Sequence, residues 1–196
     1  MRFLLNYGVI NKNIILTYDC TLRLYFYLCL VAKDHDTKQD SHFMSTETDI
    51  KWMEKALKLA RKAEAAGEVP VGAVIVKDDE LIAEGWNQPI TSNDATSHAE
   101  IMAMREAGKK LNNYRLIDTV MYVTLEPCSM CVGAMIHARV SKVIYGASEP
   151  RTGALGGAFN LLEANQHNHV FDVLSGVLEE ESKVMLQSFF QSRRKQ

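Results

Sequence analysis

Two short clusters govern what this chain can fold into: His98-Ala99-Glu100 and, further on, Pro127-Cys128-Ser129-Met130-Cys131. Together they offer one imidazole, two thiols and a carboxylate. An imidazole and two thiols grip one divalent ion only in a fold that points both segments at the same place. The flanking pattern makes each of them a helix start. From Ser97 to Leu111, residues Ile101, Met104 and Leu111 recur at helical spacing and Ser97 suits the N-cap, which puts His98 in the first turn. Residues two apart in a helix interior point roughly 200° apart, whereas the dihedrals of a helix start can bring His98 and Glu100 into one cleft. The second cluster follows a strand-like run, Val120-Met121-Tyr122-Val123-Thr124-Leu125, which Pro127 breaks before a helix from Ser129 to Arg139.

Exposed N–H groups and the positive end of the helix dipole favour thiolate at Cys128 and Cys131, and thiolate is the form that zinc binds. Three protein ligands leave the fourth tetrahedral position of Zn²⁺ to water, which separates a catalytic site from a closed structural one. Two helix N-termini aimed at the ion help lower the pKa of that water toward neutrality. Glu100 is then the proton carrier. Each half alone has a plainer reading. A C-x-x-C pair also serves as a redox dithiol, but here Ser-Met lies between the cysteines and no thioredoxin-like context surrounds them. Half a structural zinc finger would need a second ligand pair, and a lone histidine is more often a cap or core residue. The two halves together, each on a helix start, favour the open zinc site.

At 196 residues one domain is expected, with ample chain for a single core. The pattern reads as a helix (Asp49 to Ala66), strands Val71 to Lys77 and Leu81 to Asn87 joined by a turn at Asp78-Asp79, and the helix Ser97 to Leu111. The strand Thr119 to Leu125, the helix Ser129 to Arg139 and a strand Lys142 to Gly146 follow. A loop with a short helix, a short strand near Val170 and a helix from near Glu179 complete the chain. Strands alternating with helices imply a three-layer α/β/α sandwich, with the metal at the edge where two helices begin. Glycines cluster at Gly146, Gly153, Gly156 and Gly157 but form no G-x-x-x-x-G-K-[ST] phosphate cradle, so a plain loop is expected there.

The pairing of H-x-E with P-C-x-x-C is the signature of zinc-dependent base deaminases. Its P-C-x-x-C half is common to cytidine, guanine, deoxycytidylate and riboflavin-pathway deaminases. The flanking runs narrow the choice. Glu68-Val69-Pro70-Val71-Gly72-Ala73-Val74, Gly85-Trp86-Asn87, His98-Ala99-Glu100-Ile101-Met102-Ala103 and Asn113-Tyr114-Arg115-Leu116 are four of them. Tyr122 to Cys128, Met130-Cys131, Gly133-Ala134-Met135-Ile136-His137 and Phe189-Phe190 with Arg193-Arg194 are the others. Over Met44 to Lys195 the chain resembles the bacterial tRNA-specific adenosine deaminases, which convert adenosine to inosine at the wobble position of a tRNA anticodon.

The resemblance implies a cytidine deaminase-like fold with a mixed five-stranded sheet, one Zn²⁺ per subunit on His98, Cys128 and Cys131, and Glu100 as the catalytic proton shuttle. It also implies a homodimer acting in the cytoplasm on a tRNA anticodon loop, that of an arginine tRNA. Asn87 matches the base-reading asparagine, and backbone groups near Ala99 complete that pocket; as a residue in a loop after Trp86, Asn87 is equally a turn former. Glu149 falls at the rim of the nucleic-acid groove. Met102, Met104, Met130 and Met135 suit either the core or a subunit interface, the core being the better fit for most.

Charge alone does not point to nucleic acid: the formal net is −2 and the pI about 6.3. The basic residues are local. Phe189, Phe190, Arg193, Arg194 and Lys195 end a helix whose start carries Glu179, Glu180 and Glu181, an arrangement that the helix dipole also explains. The resemblance assigns the aromatics and arginines to RNA, where stacking and phosphate contacts on splayed bases need few charges. Two other functions stay open at this point: a deaminase of a free base or nucleotide, and a non-catalytic RNA-binding module whose zinc only stabilises the fold.

Residues 1–43 match nothing in that family and are expected to be an extension outside the domain, read from an upstream start. A signal or membrane segment is the rival, but the apolar run Leu22 to Ala32 contains Arg23 and is too short to span a bilayer, so no membrane association is expected. Cys20 and Cys29, nine positions apart, match no zinc spacing, and no disulfide framework is expected.

Overall fold

The computed structural model describes residues 45–164 and 166–194; the expectations for residues 1–43 and for Lys195 lie outside them. Thr46 opens the first helix, α1 (Glu47–Ala65), through a capping box: its hydroxyl accepts the N–H of Asp49, whose carboxylate accepts the N–H of Thr46. Strands β1 (Gly72–Lys77) and β2 (Glu80–Trp86) form a hairpin. Asp78 and Asp79 turn it with φ of 51° and 59°, the left-handed pair that a two-residue turn needs. A one-turn helix, α2 (Pro89–Ser92), leads to α3 (Ala99–Leu111), β3 (Val120–Leu125), α4 (Ser129–Ala138) and β4 (Lys142–Ala147). A 3₁₀ turn (Leu161–Glu163), strand β5 (Asp172–Leu174) and helix α5 (Glu179–Arg193) end the described chain.

The five strands form one sheet in the order β2-β1-β3-β4-β5. β1 is antiparallel to β2 and β3, while β3-β4 and β4-β5 are parallel, so the sheet is mixed as the resemblance implies. Both faces are buried, which explains the nearly unbroken apolar runs of β1, β3 and β4. Ala73, Ile75, Met121, Val123, Val143 and Tyr145 face one core, shared with α3 and α4. Val74, Val76, Tyr122 and Ile144 face the other, shared with α1. Two glycines set how closely helices approach the sheet. A Cβ on Gly72 would lie 2.1 Å from the Ala56 carbonyl oxygen of α1, and one on Gly85 would lie 2.2 Å from that of Ala99 in α3. The second contact fixes the start of α3 on the sheet. Of the four methionines near the site helices, Met104 and Met135 lie in the core, whereas Met102 and Met130 are half-buried.

Three features differ from the sequence reading. Helix α3 begins one residue after His98, because Ser97 turns its hydroxyl to Asp94 Oδ2 (2.9 Å) instead of capping the helix. The expected short strand near Val170 starts at Asp172, and the turn Pro89–Ser92, with Pro at its first position, was not anticipated. Among the described residues no helix is long and apolar enough to cross a membrane.

Candidate active site

The sheet delivers two helix starts to one point. His98 and Cys128 are not first-turn residues, as the sequence suggested for His98, but the cap residues of α3 and α4. Both have extended backbones (φ −71°, ψ 155° and φ −78°, ψ 171°), and neither side chain caps its helix. Both side chains are therefore left to other partners. At α3 the cap is supplied from outside: Asn87 Oδ1 accepts the Ala99 N–H at 2.9 Å.

His98 Nδ1 lies 3.7 Å from Cys128 Sγ and 3.6 Å from Cys131 Sγ, and the two sulfurs are 3.8 Å apart. A tetrahedral ion with Zn–S bonds of about 2.3 Å and Zn–N bonds of about 2.0–2.1 Å sets edges of about 3.8 Å between sulfurs and about 3.6 Å between nitrogen and sulfur. The three atoms thus already form one face of a zinc tetrahedron. Among the described residues no further histidine, cysteine or carboxylate joins the group, which leaves one corner for a small molecule.

Both cysteines are free thiols, and they are electrostatically coupled. Cys128 is held down to about 3, chiefly by its hydrogen bond with Cys131 and then by His98, so it is a ready thiolate. Cys131 is pushed up, chiefly by that same bond and then by burial beside Glu100: without a cation the pair retains one proton. A divalent ion would replace it. The His98 imidazole is raised, first through its hydrogen bond with Cys128. Glu100, only 4% exposed, is raised by burial, with its carboxyl beside the Cys131 thiol.

Asn87 and Ala99 share this cleft. Asn87 is buried, and because its carbonyl oxygen is taken by Ala99 its amide nitrogen is the group left for a ligand; the Ala99 N–H is likewise already engaged. The expected RNA-contacting residues sit apart, on α5. Phe189 is buried edge-to-face against Phe190 at 5.4 Å, and Arg193 donates to the Gly67 carbonyl at 2.6 Å while lying over the Phe189 ring. Arg194 bonds back to the Phe190 carbonyl, and Phe190 itself is 47% exposed. Phe189 and Arg193 hold the helix end; Phe190 and Arg194 face outward.

Two buried carboxylates escaped the sequence reading. Glu68 accepts the Thr91 N–H at 2.7 Å, tying α2 down between Asn87 and His98. Glu126, 3% exposed and two residues before Cys128, accepts the N–H groups of Glu149, Leu155 and Gly157. The signal for Glu126 lay in the glycines expected to form a plain loop. A Cβ on Gly153 would lie 2.4 Å from the Glu126 carboxyl carbon and one on Gly157 2.2 Å from its Oε2.

A mixed sheet bearing an open His/Cys/Cys centre beside a buried carboxyl defines the class, a zinc-binding deaminase domain. The family model described as the cytidine and deoxycytidylate deaminase zinc-binding region matches residues 46–147. The chain is 49% identical over 158 residues to the tRNA-specific adenosine deaminase of Haemophilus influenzae, covering 80% of this chain and 91% of the relative. It is 47% identical over 147 residues to that of Bacillus subtilis, covering 75% and 91%. A solved structure from a study of A-to-I editing by tRNA:A34 deaminases at the wobble position of transfer RNA shares the fold at a TM-score of 0.67 and 41% identity, covering 69% of this chain and 99% of that one. The chain belongs to the tRNA-specific adenosine deaminases.

Proposed function

We propose that the chain hydrolyses the exocyclic C–N bond of the wobble adenosine in a tRNA anticodon, giving inosine and ammonia. The observation that carries this reading is the three-donor face of His98, Cys128 and Cys131 with the buried Glu100 carboxyl beside it, on a chain whose relatives are named for that reaction. Zinc, when bound to those three side chains, supplies an acidified water as the nucleophile. Glu100 would carry one proton from the attacking water to the ring nitrogen next to the carbon under attack, and a second from the hydroxyl so added to the amino group, which leaves as ammonia as the C=O forms. Burial raises its carboxyl above the usual carboxylate range, which suits a group that both accepts and releases a proton. Asn87, fixed by the Ala99 N–H, turns its amide nitrogen to a purine ring nitrogen, and the buried backbone at Ala99 walls the base.

The substrate is a loop because flipping a base costs least where the strand is already unpaired. An arginine tRNA is the expected species and the cytoplasm the expected location. On α5, Phe190 and Arg194 are the residues left to meet RNA, since Phe189 and Arg193 are occupied within the fold. Glu149, whose N–H is held by Glu126 Oε2, is the expected rim residue of the nucleic-acid groove. The protein works as a homodimer; an apolar groove of about 830 Å³ between α3 and α4, lined by Ile101, Met104, Leu116 and Ala134, with Tyr114 at its edge, offers the contact surface.

The test is to incubate the purified full chain with tRNA and sequence the anticodon, where inosine reads as guanosine. Conversion at the wobble position of arginine tRNA, with no turnover of free cytidine or guanine, is the expected result. Deamination of a free base or nucleoside without any change in tRNA would overturn the assignment.

A further inference from the structure

Glu126 lies at the junction of the sheet and the metal centre. It follows the last residue of β3 and precedes Pro127-Cys128, its own N–H is bound to the Ala147 carbonyl (2.8 Å), and its side chain is buried. A buried carboxylate is costly unless its oxygens are satisfied. Here Oε1 accepts from Leu155 (2.9 Å) and Gly157 (2.8 Å), and Oε2 accepts from Glu149 (2.9 Å). Three backbone donors satisfy its oxygens and are collected from one returning loop. The loop is also stitched to the ligand-bearing backbone: Ala154 N–H donates to the Pro127 carbonyl at 2.9 Å, and Gly153 pairs with Cys128 as an antiparallel bridge. Gly153 and Gly157 leave just enough room for the carboxylate that the loop wraps.

We infer that Glu126 is a positioning residue for the metal centre: its carboxylate gathers the 149–157 loop and, through that loop, clamps the Pro127-Cys128 backbone so that Cys128 Sγ is held at its place in the three-donor face. Its hydrogen-bond partners are the backbone N–H groups of that loop. Its effect reaches the site through Cys128. Residues that orient metal ligands without binding the ion typically change metal affinity 10- to 100-fold when altered. The inference rests on the zinc reading of His98, Cys128 and Cys131 but not on the identity of the substrate.

The test uses Glu126→Gln, which keeps the volume but sets an NH₂ against one backbone N–H, and Gly157→Ala, whose methyl group displaces the loop from the carboxylate without changing it. Zinc affinity is measured by competition with a chelator, and cobalt is substituted for zinc to read the thiolate–metal absorption bands. Both variants are expected to bind zinc about 10- to 100-fold more weakly and to shift the cobalt spectrum, with Glu126→Asp recovering part of the loss. Should Glu126→Gln not fold, Gly157→Ala carries the same comparison. Lower thermal stability with wild-type zinc affinity and an unchanged cobalt spectrum would overturn the proposal, reducing Glu126 to a loop anchor. A wild-type chain that binds no stoichiometric zinc would instead sink the metal reading beneath it.

Discussion

Replacing Glu100 with Gln isolates the proposed proton shuttle from everything else the site does. The side chain is 4% exposed and the substitution conserves its volume, so it opens no cavity and leaves the packing of α3 intact. Glu100 is outside the three-donor group of His98, Cys128 and Cys131, so zinc stoichiometry should stay at one per subunit. The amide cannot accept and return a proton. Loss of a positioned general acid–base is worth about 10²–10⁴-fold. At 1.36 kcal/mol per decade, that is about 3–5 kcal/mol of transition-state stabilisation. The assay is single-turnover formation of inosine in tRNA, with zinc content and RNA binding measured on the same preparation. The rate is expected to fall by that factor while zinc and RNA binding hold. A rate within tenfold of wild type would place the shuttle elsewhere, and loss of the metal would make Glu100 a fourth ligand.

Other consequences of the structure are equally concrete. Gly85→Ala should destabilise the protein by about 2 kcal/mol or more, because the new methyl meets the Ala99 carbonyl and the Ala103 nitrogen, backbone atoms that move only with α3; a denaturant titration with an unchanged midpoint would contradict this packing. The Ser182 hydroxyl is buried without a hydrogen-bond partner against Gly146, so Ser182→Ala should raise the unfolding midpoint by an amount worth about 1 kcal/mol. A lower midpoint would reveal a partner for that hydroxyl. Asn87→Ala removes the acceptor for the Ala99 N–H as well as the proposed base contact: stability should drop by about 1 kcal/mol, and kcat/KM for tRNA should drop much further than that loss explains. Equal, small effects on both would confine Asn87 to capping.

Much of this architecture was legible in the chain because local pattern and tertiary demand agree. The apolar runs of β1, β3 and β4 are buried on both faces, Asp78-Asp79 adopts the left-handed turn its composition suggests, and the metal half-sites lie where helices begin. What failed to show was long-range. Ser97 looks like a cap, but three groups of its own loop converge on Asp94, the Thr96 hydroxyl and N–H and the Ser97 hydroxyl, and hold that carboxyl down to about 2. That local turn takes the serine away and leaves His98 at the cap position. Glu126 gives no local sign of its role because its donors come from a loop more than twenty residues on. Arg193 reads as a free cation until the chain brings Gly67 beneath it. A carboxylate's partners, unlike a helix face, have no period.

X-ray absorption at the zinc edge of the loaded protein tests the core of the account most directly. The distances among His98 Nδ1, Cys128 Sγ and Cys131 Sγ call for two sulfurs at about 2.3 Å, and two lighter atoms at about 2.0–2.1 Å, one from the histidine and one from solvent. A third sulfur, or a second protein nitrogen in place of the solvent atom, would close the coordination sphere and contradict a hydrolytic centre.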